Sequence, residues 1–204
     1  MNVLTEIQYF PSVISIKNLY NHTNIFFEQY EFYQKRSFRN RALIAGSNGI
    51  INLSIPLLDG RNQKVLMKDV RIANQEAWQK RHWRSIFSSY NHSPWFDHYR
   101  DELEILYLNR FEFLMDWNLR CFEWVAQKLN RSFDIFLTET YQKNYDPGSW
   151  IDQRNRVIPK NYRDFETASY RQVFEEKLGF LPNLSIIDLL FCEGGHAADL
   201  LKEN

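Results

Sequence analysis

The residues best equipped for chemistry lie between Glu31 and Arg41, where Lys35, Arg36, Arg39 and Arg41 are interleaved with Tyr33, Ser37 and Asn40. Guanidinium forks match phosphate oxygens, while hydroxyl and amide groups can orient what the cations hold. Tyr33, Lys35, Ser37, Arg39, Asn40 and Arg41 are therefore expected to bind a phosphate-bearing small molecule, with Arg61 and Lys64 of the next loop converging on it. The competing reading is a solvated strand carrying surface ion pairs. His82 is the second candidate. It shares a helical stripe with Trp78 and Ile86, flanked by Arg81 and Arg84. Its near-neutral reference pKa suits a general acid or base, and a hydrogen-bonded core histidine fits the same stripe.

Other chemistries find less support. His92, Asp97 and His98 lack an i, i+4 histidine pair, so no metal site is expected. No G-x-S-x-G elbow is present, and Cys121 and Cys192 have no evident activating base. The G-x-x-x-x-G-K-[ST] loop and the G-x-G-x-x-G fingerprint are both absent, so a nucleotide would have to be held otherwise, and no cofactor is identified.

The elements that must position these groups can be read in order. Val3 to Phe10 is expected as a strand, Ser12 as the N-cap of a helix through about His22, and Asn24 onward as a second strand. Such a βαβ-like unit sets the Tyr9 to Ser12 turn at the carboxyl end of a sheet, where α/β proteins commonly bind ligands. Continuing extended, the chain would carry Glu31, Tyr33, Lys35, Ser37, Arg39 and Arg41 on one face. Residues 42–45 and 50–55 flank Gly46-Ser47-Asn48-Gly49 and predict an antiparallel hairpin. Val65 to Ile72 and Phe133 to Tyr141 read as further strands. Helices are expected over 75–91, capped by Asn74, and from Pro94 to about Asn130 in two pieces. Ser149 to Arg163, polar and aperiodic, is expected to be a mobile loop. At the end, a helix from Tyr170 stops at Gly179, and Ser185-Ile186-Ile187-Asp188 resembles a capping box. The fold class is α/β: a mixed sheet with an N-terminal βαβ-like unit, an antiparallel hairpin and flanking helices, as one domain over residues 1–204.

With 204 residues, 44% hydrophobic, the chain can bury a sizeable core. Its 25 basic and 25 acidic residues balance, so no whole-molecule field favours nucleic acid or an anionic membrane. No secretory signal is visible in MNVLTEIQYF, and no apolar run approaches the roughly 18 to 20 residues that span a bilayer. A cytosolic protein with reduced thiols is expected. The oligomeric state is left open.

The order of segments adds a resemblance: Gln8-Tyr9-Phe10-Pro11-Ser12, Tyr33-x-Lys35-x-Ser37-x-Arg39-Asn40-Arg41, Leu53-Ser54-Ile55-Pro56, Trp78-x-x-x-His82-Trp83, and Phe180 to Phe191. Together these resemble the WbqC-like protein family over nearly the whole chain. The opening strand lacks the first proline of that family's usual Q-P-Y-x-F-P. The resemblance implies a bacterial protein associated with O-antigen and related surface polysaccharides. It leads to the expectation of a transferase acting on an activated sugar or other phosphate-bearing substrate. The alternative is a non-catalytic binding or scaffold protein of the same pathway.

Overall fold

A computed structural model of the chain describes residues 1–60 and 64–202. Arg61, expected to join the basic group, lies outside the described residues. The N-terminal unit follows the expected pattern: strand β1 (Asn2–Thr5), helix α1 (Val13–Tyr20) and strand β2 (Asn24–Phe27). Ser12 caps α1, its Oγ accepting from the Ser15 amide at 3.3 Å, as a short polar side chain does where the first helical N–H groups lack partners. β1 and β2 are parallel, with Val3 opposite Ile25.

The expected extended run from Glu31 to Arg41 does not form. Residues 28–40 make a folded excursion of bends and turns, with Arg36 at φ 58. A left-handed residue ends strand alternation, so Lys35 and Arg36 point to solvent while Ser37, Phe38, Arg39 and Asn40 turn inward. The hairpin then forms in the expected register from β3 (Arg41–Gly46) and β4 (Gly49–Ser54), with Ala42 opposite Leu53. Gly49 closes the turn at φ 124, a conformation that a Cβ would strain.

The Val65 to Ile72 stretch is not a strand. It forms a 3₁₀ turn over Met67–Asp69, because the amides of Met67 and Lys68 donate to the Glu31 and Gln29 carbonyls and so tie it to the 28–40 excursion. Three helices follow: α2 (Trp78–Tyr90), α3 (Phe96–Leu108) and α4 (Leu114–Lys128). Asn74 does not cap α2. Its side-chain amide donates instead to the Phe111 carbonyl at 2.7 Å.

Strand β5 (Asp134–Leu137) pairs parallel with β2. A strand the sequence did not suggest, β6 (Trp150–Asp152), pairs parallel with β1 inside the supposed mobile loop. The result is a four-stranded parallel sheet of order β5-β2-β1-β6, standing apart from the two-stranded hairpin. All four parallel strands therefore end at the same edge. The chain finishes with α5 (Glu175–Leu178), α6 (Ile186–Glu193) and α7 (Ala197–Lys202). One buried apolar cluster runs from Val3 to Leu201 and takes in both sheets and the main helices.

The expected capping box at Ser185 gives way to something else. Ser185 Oγ donates to the Phe10 carbonyl at 2.9 Å, and Asp188, fully buried, accepts from Tyr90 Oη at 2.6 Å, Tyr170 Oη at 2.6 Å and Gln172 Nε2 at 2.9 Å. Tyr90 Oη in turn accepts from the Ala45 amide at 3.0 Å. One carboxylate thus joins α2, α6, the hairpin and the segment before α5. Burial pushes its pKa up, and the three donors pull it back. Asp188→Ala should strand these buried donors and lower stability by about 2 to 4 kcal/mol, read from urea unfolding. A loss below about 1 kcal/mol would deny the carboxylate this role.

Candidate active site at the carboxyl edge of the parallel sheet

In a parallel sheet the loops that leave the strand ends gather on one side, where ligands of open α/β sheets bind. Here those loops bring together three buried carboxylates, Glu6 after β1 and Glu28 and Glu31 after β2, exposed by 2%, 0% and 6%. Glu31 accepts from Nε and Nη2 of the fully buried Arg39. Its carboxyl is nonetheless pushed up, first by burial and further by the negative charges of Glu6 and Glu28, with Arg39 opposing. Glu28 accepts from the Tyr30 amide at 2.8 Å, Thr138 Oγ1 at 2.9 Å and Arg154 Nη1 at 3.3 Å. Arg154 also bonds Asp152 and the carbonyls of Gln142 and Lys143, and lies over the rings of Tyr141 and Tyr145. It pins the segment after β5 to the edge of the sheet.

Glu6 is treated differently. Its two oxygens accept from Gln8 Nε2 and from the Asn155 amide, each at 2.8 Å. Beside it a slot of about 20 Å³ opens at the end of β1, walled by Thr5, Glu6, Gln8, Ser15, Asn18 and Gln153, with Phe27, Phe122 and Val157 among its apolar contacts. That volume holds one water or one small polar group. Gln8 Oε1 and Arg39 Nη1, both buried in this region, have no hydrogen-bond partner among the described residues.

The side chains singled out from the sequence divide. Tyr33 donates to Asn40 Oδ1 at 2.9 Å, Asn40 donates to the Ile55 carbonyl at 2.9 Å, and Ser37 Oγ donates to the Gln34 carbonyl at 2.6 Å. The first and last of these bonds fold the excursion on itself, and the second ties it to the chain just beyond β4. Arg39 is committed to Glu31, whereas Lys35 and Arg36 are exposed and Arg41 is half-buried with its Nε unpartnered. The expected common face for Lys35, Arg39 and Arg41 is therefore absent.

His82 lies inside the core, 5% exposed, its ring edge-on to Trp78. Tyr9 Oη lies 3.0 Å from Nδ1, and the Ser54 carbonyl takes the other N–H. Tyr107 Oη hydrogen-bonds Tyr9 Oη in turn. His82 is not among the residues walling the slot. Both cysteines are buried and unpaired, and burial pushes both thiols up. Among the described residues, no group of three or more His, Cys, Asp and Glu side chains is arranged to hold a metal ion.

The WbqC-like protein family model matches residues 8–157. The chain belongs to the WbqC-like protein family. A curated relative, described as uncharacterized protein Rv1507c of Mycobacterium tuberculosis, is 27% identical over 198 residues, covering 83% of this chain and 84% of its own length. No solved structure gives a significant match. No described helix is long and apolar enough to cross a membrane.

In this WbqC-like chain, Glu6, Gln8, Glu28 and Arg154 are the edge residues that reading the sequence for chemistry passed over. Glu6 and Gln8 could have been found as the polar residues just beyond the first strand. Arg154 could not, because β6 was not recognised.

The environment of His82 gives a pH signature. Burial lowers its pKa from 6.5 to about 4, with the Ser54 carbonyl opposing. The unfolded histidine protonates first as pH falls, so its contribution is complete above pH 6.5 and is lost between 6.5 and 4. The wild-type protein should lose about 2 kcal/mol from this residue between about pH 7 and pH 5. His82→Gln, which can keep both hydrogen bonds without titrating, should remove that part of the slope in urea unfolding. Equal slopes in the two proteins would contradict this.

Proposed function

We propose that the chain is a cytosolic transferase of bacterial surface-polysaccharide synthesis, acting on an activated sugar or another phosphate-bearing substrate at the carboxyl edge of its parallel sheet. The polysaccharide setting follows the family resemblance. The observation that supports the chemistry is that the loops after the neighbouring strands β1 and β2 leave the same edge, the first bearing Glu6 at the slot and the second the exposed Lys35 and Arg36, with Arg41 following at the start of β3. The side chains of Lys35, Arg36 and Arg41 form no hydrogen bond or ion pair among the described residues. In this reading Lys35 and Arg41 meet the phosphate, Tyr33, Ser37 and Asn40 brace the loop, and Arg39 holds Glu31 in place. Glu6, at the slot wall, is the proton acceptor for the incoming group. His82 supports Tyr9 from behind the sheet edge.

A second reading, a non-catalytic binding or scaffold protein, is favoured by one observation: the interleaved Tyr33, Ser37 and Asn40 and the imidazole of His82 are all engaged internally. The two readings part in a turnover assay. Incubation with nucleotide-activated sugars should release nucleoside phosphate saturably, and Lys35→Ala or Arg41→Ala should raise KM by roughly 10- to 100-fold, as for the loss of a charge-assisted contact. Binding of the nucleotide sugar without release would select the second reading. Absence of binding would reject the phosphate assignment altogether.

A further inference from the structure

Among the buried carboxylates of the sheet edge, Glu6 alone lacks a cation. Glu28 has Arg154 and Glu31 has Arg39, but Glu6 forms no ion pair among the described residues and accepts only from two neutral N–H groups. A carboxylate removed from water without a counter-charge is costly, and two neutral N–H groups offset only part of that cost. The negative charge of Glu6 also reaches Glu31, on which it acts as a repulsive neighbour.

The wall beside Glu6 has the same polarity. Gln8, 4% exposed, uses its amide N–H on Glu6, and its Oε1 is left buried with no donor. Both residues line the slot. This side of the slot is thus built of acceptors with lone pairs to spare, since an ionised carboxylate offers about four sites and an amide oxygen two. Its complement is a compact group with several N–H donors and a positive charge. A volume near 20 Å³ admits one such head group and little more. Ser15 and Asn18 of α1 and Gln153 supply further polar atoms around it.

We infer that the slot receives the primary amino group of the acceptor substrate, as in an amino sugar or an amino acid. Calling that molecule an acceptor rests on the transferase reading, whereas the recognition of an amine does not. Bound there, the ammonium neutralises Glu6 and fills the empty position on Gln8. Loss of its proton to the Glu6 carboxylate would leave a nitrogen lone pair at the sheet edge.

Glucosamine and glucose, which differ by an amino group in place of one hydroxyl, are the probes. Titrated against the ¹⁵N-labelled chain at neutral pH, glucosamine should shift the Gln8 side-chain amide and the Asn155 backbone amide saturably, and glucose should not at equal concentration. Glu6→Gln should weaken glucosamine at least tenfold, and Gln8→Met severalfold. The thermal midpoint of Glu6→Gln should be unchanged or raised, because the variant removes an uncompensated buried charge. Equal shifts from the two sugars, no shift from either, or undiminished glucosamine binding by Glu6→Gln would each overturn the inference. If Glu6→Gln unfolds, the Gln8→Met titration decides alone. Transfer to hydroxyl acceptors with no preference for amines would reject the amine slot and leave the transferase reading standing. Glucosamine binding without any transfer would do the reverse.

Discussion

Taking four carboxylates out of water is the constraint around which this molecule is arranged. Glu6, Glu28, Glu31 and Asp188 are all buried, and each must be met by donors or the folded state becomes untenable. Asp188 is met by two phenols and an amide, which draw the C-terminal helices against α2 and the hairpin. Glu31 is met by Arg39, which folds the 28–40 excursion back across the sheet edge. Glu28 is met by Arg154, which brings in the chain from beyond β6. Each pairing joins residues that a helix or strand alone would leave apart. The contacts that solve the solvation problem are also those that set the tertiary arrangement.

The parallel sheet explains why three of these four groups share one edge. Parallel strands send every outgoing loop the same way, and the order β5-β2-β1-β6 sets the loops after β1 and β2 side by side. The first turn of α1, capped by Ser12, faces the same region and contributes Ser15 to the slot. Phe10 at φ 40 belongs to this turn. A non-glycine residue there costs of order 1 kcal/mol or more and persists only where its surroundings hold it. The surroundings are visible: Ser185 Oγ donates to the Phe10 carbonyl, and the Ile186 amide donates to that of Pro11.

His82 illustrates how a reactive side chain can become part of the frame. A neutral imidazole donates from one nitrogen and accepts at the other, and here the Ser54 carbonyl and Tyr9 supply one of each. The chain Tyr107, Tyr9, His82, Ser54 ties α3, the β1–α1 turn, α2 and the end of β4 through buried hydrogen bonds. Such networks specify one packing arrangement when every member is satisfied.

The sequence by itself determined what depends on near neighbours along the chain. The βαβ start, the Ser12 cap, the hairpin register, the two long helices after Pro94 and the turn at Gly179 all follow from local periodicity, caps and glycine conformations, and all are present. The resemblance carried by Gln8 to Ser12 and Lys35 to Arg41, both inside the residues that the family model matches, was legible for the same reason, since motifs are linear. Only the tertiary structure decided the rest. Alternation put Lys35, Arg39 and Arg41 on one face, but a left-handed turn at Arg36 and a buried partner for Arg39 separated them. Three residues at Trp150 became a strand because β1 had a free edge to satisfy, which no local pattern records. The polar residues of the carboxyl edge come from positions as far apart as Glu6 and Asn155. Whether such groups are neutralised or left waiting for a partner depends on which distant segment packs against them, and burial and charge are properties of that packing rather than of the sequence near each residue.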